Sequence, residues 1–244
     1  MRIALVADIH GNLAALEAVA TDIEHRGVDR VVNLGDNVSG PLLPLETAHF
    51  LMASGWVSIS GNHDRQVLSL RPGEGGPSDE YAYSRLTGAE LDWLRSLEPS
   101  VRLEEGLFAC HGTPRSDTEY LLESIEGGGL RLAGPQEIAD RLGGEDAQVI
   151  ACGHTHTPRV VRTEDGRLLV NPGSVGLPAY DAENPVPHVV ETGSPDARYA
   201  IVERTPEGWD ALLVAVPYDY RPMARLAQRQ GRPEWERALM TGRL

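Results

Sequence analysis

The 244-residue chain contains no lysine; all 22 of its basic residues are arginine. That excludes phosphate-binding loops built around a lysine, and it excludes Schiff-base chemistry. Cysteine is nearly as scarce. Cys110 and Cys152 both lie near the ends of apolar runs, where a thiol serves as a small buried hydrophobe. Two cysteines make no disulfide framework, so the expected compartment is a reducing cytoplasm. Aromatic residues are only 5% of the chain, so a core must come from the Leu, Val, Ile and Ala within its 41% hydrophobic content. No apolar run approaches the ~18 residues that a membrane span needs. The opening "MRIALVADIHG" is apolar only as far as Ala7, too short for a secretion signal. Positive charge is in deficit overall. A net charge of −14 weighs against extended nucleic acid and anionic membranes as partners. A local metal cluster can still reverse the field at one site.

What the chain does have is alternation. "RIALVAD" is a near-continuous apolar run, as in a strand buried on both faces. In "NLAALEAVATDIEHRG", Leu13, Leu16, Val19 and Ile23 recur at helical spacing, with Asn12 as N-cap and Gly27 as stop. "RVVNLGD" reads as a strand, "LETAHFLMAS" as a helix, and "WVSISGNHD", "LFACHGT" and "QVIACGHTH" as further strands. "RLLVNPGS", "RYAIVE" and "ALLVAVPY" read as later strands, antiparallel at one edge. The expectation is an α/β layered sandwich, its central strands covered on both sides. Glycine and proline mark 71–80 as a loop, and the acidic, Pro-rich 176–197 reads as a long structureless loop of the kind used as a lid. The boundaries expected are a main domain over 1–218 and a helical tail over 219–244 packed against it.

Each apolar run ends in a small polar cluster beside glycine: Asp8 and His10, Asp36, Asn62 with His63 and Asp64, His111, then His154 and His156. In open α/β sheets, ligands bind beyond the carboxyl ends of the strands. One such residue alone is a turn or a cap; five runs ending this way suggest a common rim. His154 and His156 are two apart, which in extended chain aims both to one side. Asp8, His10, Asp36, Asn62, His111, His154 and His156 are seven donors, too many for one four-coordinate ion. They suit two metals sharing a carboxylate. Imidazole, carboxylate and amide oxygen without thiolate favour two divalent transition ions, manganese, iron or zinc, with magnesium or nickel also admitted. Such a pair suits in-line displacement at phosphorus.

The ordered series "DIH … GDN … GNHD … HG … GHTH" over residues 8–156 resembles the calcineurin-like metallophosphoesterase superfamily. "NPGSVG" at 171–176 extends the likeness toward small bacterial phosphodiesterases. The resemblance implies a four-layer αββα sandwich of two mixed β-sheets flanked by helices, with a dinuclear site at the carboxyl ends of the strands. It implies that Asp8, His10, Asp36 and His156 hold one metal. Asp36, Asn62, His111 and His154 would hold the other, with Asp36 bridging. A hydroxide between the ions would be the nucleophile, and His63 would protonate the leaving oxygen of a small phosphorylated substrate.

The match departs at one point. Relatives acting on phosphoproteins carry "GDxxDRG", whereas here the text is "GDNVSGP". Ser39 stands where the acid that orients the catalytic histidine would be, leaving the partner of His63 unassigned. Asp64 is adjacent to His63 but reads as structural. Arg115 and Tyr180 are the expected substrate contacts, with His188 and Arg198 as lesser ones in or beside the 177–197 segment. A nuclease, a phosphoprotein phosphatase and a non-catalytic metal-binding module are the alternatives.

Overall fold

The computed structural model describes residues 1–71 and 73–244. Fourteen strands and eight helices are present among the described residues. The first half runs β1 (Arg2–Val6), α1 (Leu13–Arg26), β2 (Arg30–Asn33), α2 (Pro44–Ser54), β3 (Val57–Ser58), α3 (Asn62–Ser69), α4 (Pro77–Arg85), α5 (Gly88–Ser96), β4 (Ser100–Arg102) and β5 (Leu107–Cys110). It continues with β6 (Glu123–Glu126), β7 (Gly129–Leu132), α6 (Pro135–Leu142), β8 (Val149–Ala151), β9 (Arg159–Arg162) and β10 (Leu168–Asn171). The remainder is β11 (Ala179–Ala182), β12 (His188–Glu191), β13 (Ala197–Thr205), β14 (Gly208–Val216), α7 (Arg221–Arg229) and α8 (Pro233–Thr241).

Two mixed five-stranded sheets form the centre, in the orders β14-β13-β1-β2-β3 and β4-β5-β8-β10-β9. In each, three neighbouring strands run parallel, β1, β2, β3 in one and β5, β8, β10 in the other; β13 and then β14 extend the first sheet by antiparallel pairing on one side, and β4 and β9 flank the second antiparallel on both. Alternation along β1 explains the layering. Ile3 and Leu5 point between the sheets, against Leu107, Val149 and Leu168. Ala4 and Val6 point outward, against Leu16, Val19 and Ile23 of α1. The outer face of the second sheet, with Phe108 and Ile150, packs on Ile138 and Leu142 of α6. The architecture is thus the αββα sandwich, and the first helix has the expected caps: Asn12 Oδ1 accepts from the Ala15 amide, and Gly27 follows the last turn.

Four expectations are corrected. The strand expected through "WVSISGNHD" is only β3, and Asn62, His63 and Asp64 form the first turn of α3. The 71–80 loop gives way to α4 at Pro77, because proline at N1 after an extended Gly76 favours a helix start; position 72 of that loop lies outside the described residues. The 176–197 segment is not structureless: β11 and β12 pair as an antiparallel hairpin, Ala179 opposite Glu191 and Ala182 opposite His188. His188, a lesser candidate for a substrate contact, opens β12 and is buried. At 219–244, α7 and α8 lay Met223, Ala227, Trp235 and Leu239 over Leu42, Leu177 and Ala179.

Candidate metal centre

The polar residues after β1, β2, β5 and β8, and those opening α3 beyond β3, converge at one rim. Their backbone is the clearest mark of it. Among the described residues, five non-glycine positions have positive φ: Asp8, His10, Asp36, His154 and His156. All five belong to the ligand set expected from sequence. Left-handed backbone costs a non-glycine residue on the order of 1–3 kcal/mol and persists where surrounding structure over-determines it. This corrects the period-of-two reading. His154 and His156 lie beyond the end of β8, and left-handed turns, not extended chain, aim their rings.

Two compact groups result, Asp8 with His10 and His156, and Asp36 with His111 and His154. His10 Nε2 and His156 Nε2 are 3.2 Å apart, and His156 Nε2 is 3.6 Å from Asp8 Oδ1. In the second group His111 Nε2 lies 3.2 Å from Asp36 Oδ2 and 3.1 Å from Asn62 Oδ1. Asp36 Oδ2 also sits 3.9 Å from His10 Nε2, so one oxygen addresses both groups.

Carbonyls set the tautomers. His10 Nδ1–H donates to Ser39 O at 2.8 Å, His111 Nδ1–H to Leu34 O at 2.7 Å and His156 Nδ1–H to Leu177 O at 2.7 Å. Each leaves Nε2 toward the centre. His154 is reversed: its Nε2–H donates to Thr118 O at 3.2 Å, leaving Nδ1 for the centre. Asp64 accepts from the amides of Gly61, Asp36 and Asn37 and from Asn37 Nδ2, all within 3.0 Å. It fixes the Asp36 turn, while the His63 ring nitrogen Nδ1 bonds elsewhere. At Gly61 a Cβ would run into Asp36 Oδ1, and at Gly176 into Ile9 O, so both positions require glycine.

The donor set fits metal ions. Asp8 Oδ2 is buried with no hydrogen-bond partner, a costly state that a bound cation relieves. Burial pushes Asp8 up to about 8, outweighing the charge of His111. Burial also drives His10 down to about 4, His154 to about 3 and His156 well below its ordinary range, so their lone pairs are free at neutral pH. His111 differs: burial lowers it, but Asp36 and Asp8 overcome this and raise it to about 10. Asp36 is opposed by the same burial yet held well below the usual carboxylate range by His111 and His63.

Metal-free chain at pH 7 therefore carries a proton on Asp8 and one on His111 that ligation must displace. Affinity should rise as pH climbs toward 8, on the order of 10- to 100-fold per pH unit for one to two protons released. Calorimetric titration of Mn²⁺ at pH 7 in two buffers of different ionisation enthalpy should show that release; identical heats would contradict it.

Above the centre opens a cavity of about 1130 Å³. Its lining includes His63, Arg115, Tyr180, Arg232 and Trp235. Arg115 is forked onto Glu119 at 2.8 and 2.9 Å and bonds Asp140 O. Tyr180 packs its ring on His156 at 4.6 Å and joins Tyr120 Oη at 2.9 Å. Tyr120 in turn bonds His188 Nε2 at 2.8 Å and packs on His154, so the β11–β12 hairpin braces His154 and His156. Arg198 does not line the cavity. Sequence reasoning missed Trp235, whose ring lies 6.1 Å from His10, and Arg232 beside it, because nothing in a C-terminal helix pattern signals proximity to β1. It also missed Asp79, whose Oδ1 accepts from His63 Nδ1–H at 2.8 Å. Burial lowers His63, but Asp36 and Asp79 more than offset it and hold the imidazole up at about 9.

A sandwich with two Asp/His groups at its strand ends is a scaffold with a candidate dinuclear metal site. Residues 1–193 match the calcineurin-like phosphoesterase superfamily domain, and the chain belongs to that superfamily. It is 27% identical to an uncharacterised protein of Methanocaldococcus jannaschii over 96% of this chain and 94% of the relative. A metallophosphoesterase from Sphaerobacter thermophilus is 26% identical, with TM-score 0.73 and 96% of each chain covered. A hypothetical protein from Pyrococcus horikoshii shares the fold at TM-score 0.74 and 20% identity, over 99% of this chain and 98% of that one. No helix among the described residues is long and apolar enough to cross a membrane.

Proposed function

We propose that the chain hydrolyses a phosphate ester of a small substrate, a diester or a monoester, with two divalent transition ions held by its two Asp/His groups. The observation that carries this reading is the position of Asp36 Oδ2, 3.2 Å from His111 Nε2 and 3.9 Å from His10 Nε2, one anion serving both groups. Asp8, His10 and His156 would hold one ion, and His111, His154 and Asn62 the other. When bound, such a pair supplies Lewis acidity toward phosphoryl oxygens and lowers the pKa of water.

The rest falls to the chain. Asp64 and the Nδ1-bonded carbonyls keep the donor atoms in place without rearrangement. His63 lines the cavity, its ring 5.5 Å from that of His10. With Nδ1–H given to Asp79, its Nε2 is the atom free to donate a proton to a leaving oxygen. The net charge of −14, with Asp181, Glu183, Glu119 and Glu234 around the opening, favours a compact substrate over a long polyanion.

Purified protein loaded in turn with Mn²⁺, Fe²⁺, Zn²⁺, Mg²⁺ and Ni²⁺ should cleave bis-p-nitrophenyl phosphate or p-nitrophenyl phosphate. The activity should vanish on chelation and return with metal. Failure on both esters with every ion would overturn the reading, and rapid digestion of single- or double-stranded DNA would replace the small substrate by a polymer.

A further inference from the structure

Position 39 carries a serine, and the carboxylate that meets His63 arrives from another part of the chain. Asp79 lies in the first turn of α4, sixteen residues beyond His63, and its side chain is 7% exposed. Its Oδ1 takes two hydrogen bonds, from His63 Nδ1–H at 2.8 Å and from Ser39 Oγ–H at 2.6 Å. Ser39 itself is fully buried. Its hydroxyl holds the Asp79 carboxylate, while its carbonyl accepts from His10 Nδ1–H.

The other helices show what Asp79 forgoes. In α3, α5 and α6 the acid at the third helical position turns back and accepts the N-cap amide: Asp64 from Gly61, Glu90 from Thr87 and Glu137 from Gly134. Asp79 occupies the same position in α4, after Gly76, and makes no such bond. Its carboxylate is turned across to Ser39 and His63 instead. A capping acid gains from bonding its own N-cap amide; this one satisfies a distant imidazole.

We propose that Asp79, locked by the Ser39 hydroxyl, is the positioning residue for His63, fixing its Nδ1–H tautomer so that Nε2 faces the cavity. The proposal rests on His63 being the proton donor of the reaction read above. Asp79 touches neither ion nor substrate and acts only through the imidazole, and Ser39 acts only through Asp79.

The test uses Mn²⁺-loaded protein and aryl phosphate esters with leaving groups from p-nitrophenol to unsubstituted phenol. A proton donor matters most for the poorer leaving group. Asp79→Ala should lower kcat on the phenyl ester on the order of 10- to 100-fold, the usual loss when an orienting partner is removed. The p-nitrophenyl ester should be affected far less, with KM and bound manganese unchanged. Asp79→Asn, which keeps an acceptor for Nδ1–H in the same shape, should recover much of the loss and serves as the folding control. Ser39→Ala should cost less than Asp79→Ala and add nothing in the Asp79→Ala background, because both act along one line. Equal losses on both esters, a shift confined to KM, or additive effects of the two substitutions would overturn the assignment of Asp79 while leaving His63 as donor. Full phenyl-ester turnover in His63→Ala would remove the donor itself and the positioning role with it.

Discussion

Asp36→Asn should leave a folded protein that holds fewer than two ions and has lost nearly all turnover. The side chain is buried, and its Oδ1 accepts from the His63 amide at 2.9 Å. An asparagine oxygen can accept that same bond, so the turn into α3 survives. Its amide nitrogen then replaces the oxygen that faces both His111 Nε2 and His10 Nε2. It brings no negative charge, and it donates to the lone pairs that ions would need. The burial cost of two dications is then met by Asp8 alone, the one remaining carboxylate in the two groups. Lewis-acid stabilisation is worth several kcal/mol, so the rate should fall ~10³-fold or more. Metal content by elemental analysis and turnover of an aryl phosphate should fall together. A variant that kept two ions per chain would remove Asp36 as the shared ligand. Loss of rate without loss of metal would move its function from binding to chemistry.

The reason so much of this centre was legible lies in its donors. Ligands after parallel strands sit a few residues beyond an apolar run and beside glycine, so "ADIHG", "LGDN" and "ACGHTH" give positions without any tertiary knowledge. The layered sheets were legible because β1, β5 and β8 are apolar on both faces. What failed was the geometry between donors. An extended-chain argument put His154 and His156 on one side by periodicity, whereas both achieve it through left-handed turns, a backbone region that few non-glycine residues enter. The hairpin of β11 and β12 was invisible for a different reason. Its strands are four residues each and are held partly by Tyr120 and His188, sixty-eight positions apart. Asp79 illustrates the third limit. The composition of 71–80 makes it a loop acid, and only the packing of α4 near Ser39 turns it toward His63. The positions of the donors were readable; what aims and braces each side chain required the fold.

His63→Ala separates metal binding from proton transfer. The imidazole belongs to neither Asp/His group, and the bond its residue makes to Asp36 comes from the backbone amide, which alanine retains. Two ions should therefore remain, with the Asp36 turn intact. Bound dications would oppose the pull of Asp36 on the imidazole, and the Asp79 hydrogen bond persists as the support for its protonated form. Because a general acid must carry its proton, the wild-type rate should decline as pH rises through the imidazole's raised pKa, near 9 in the metal-free chain. His63→Ala should lack that alkaline limb and turn over a phenyl ester about 10²- to 10⁴-fold more slowly, with a smaller loss on the p-nitrophenyl ester. Stoichiometric manganese with wild-type rate and pH profile would show that the leaving oxygen takes its proton from elsewhere. Lost manganese would instead assign His63 a structural part in the centre. Retained manganese with the rate lost selectively for poor leaving groups is the outcome the geometry requires.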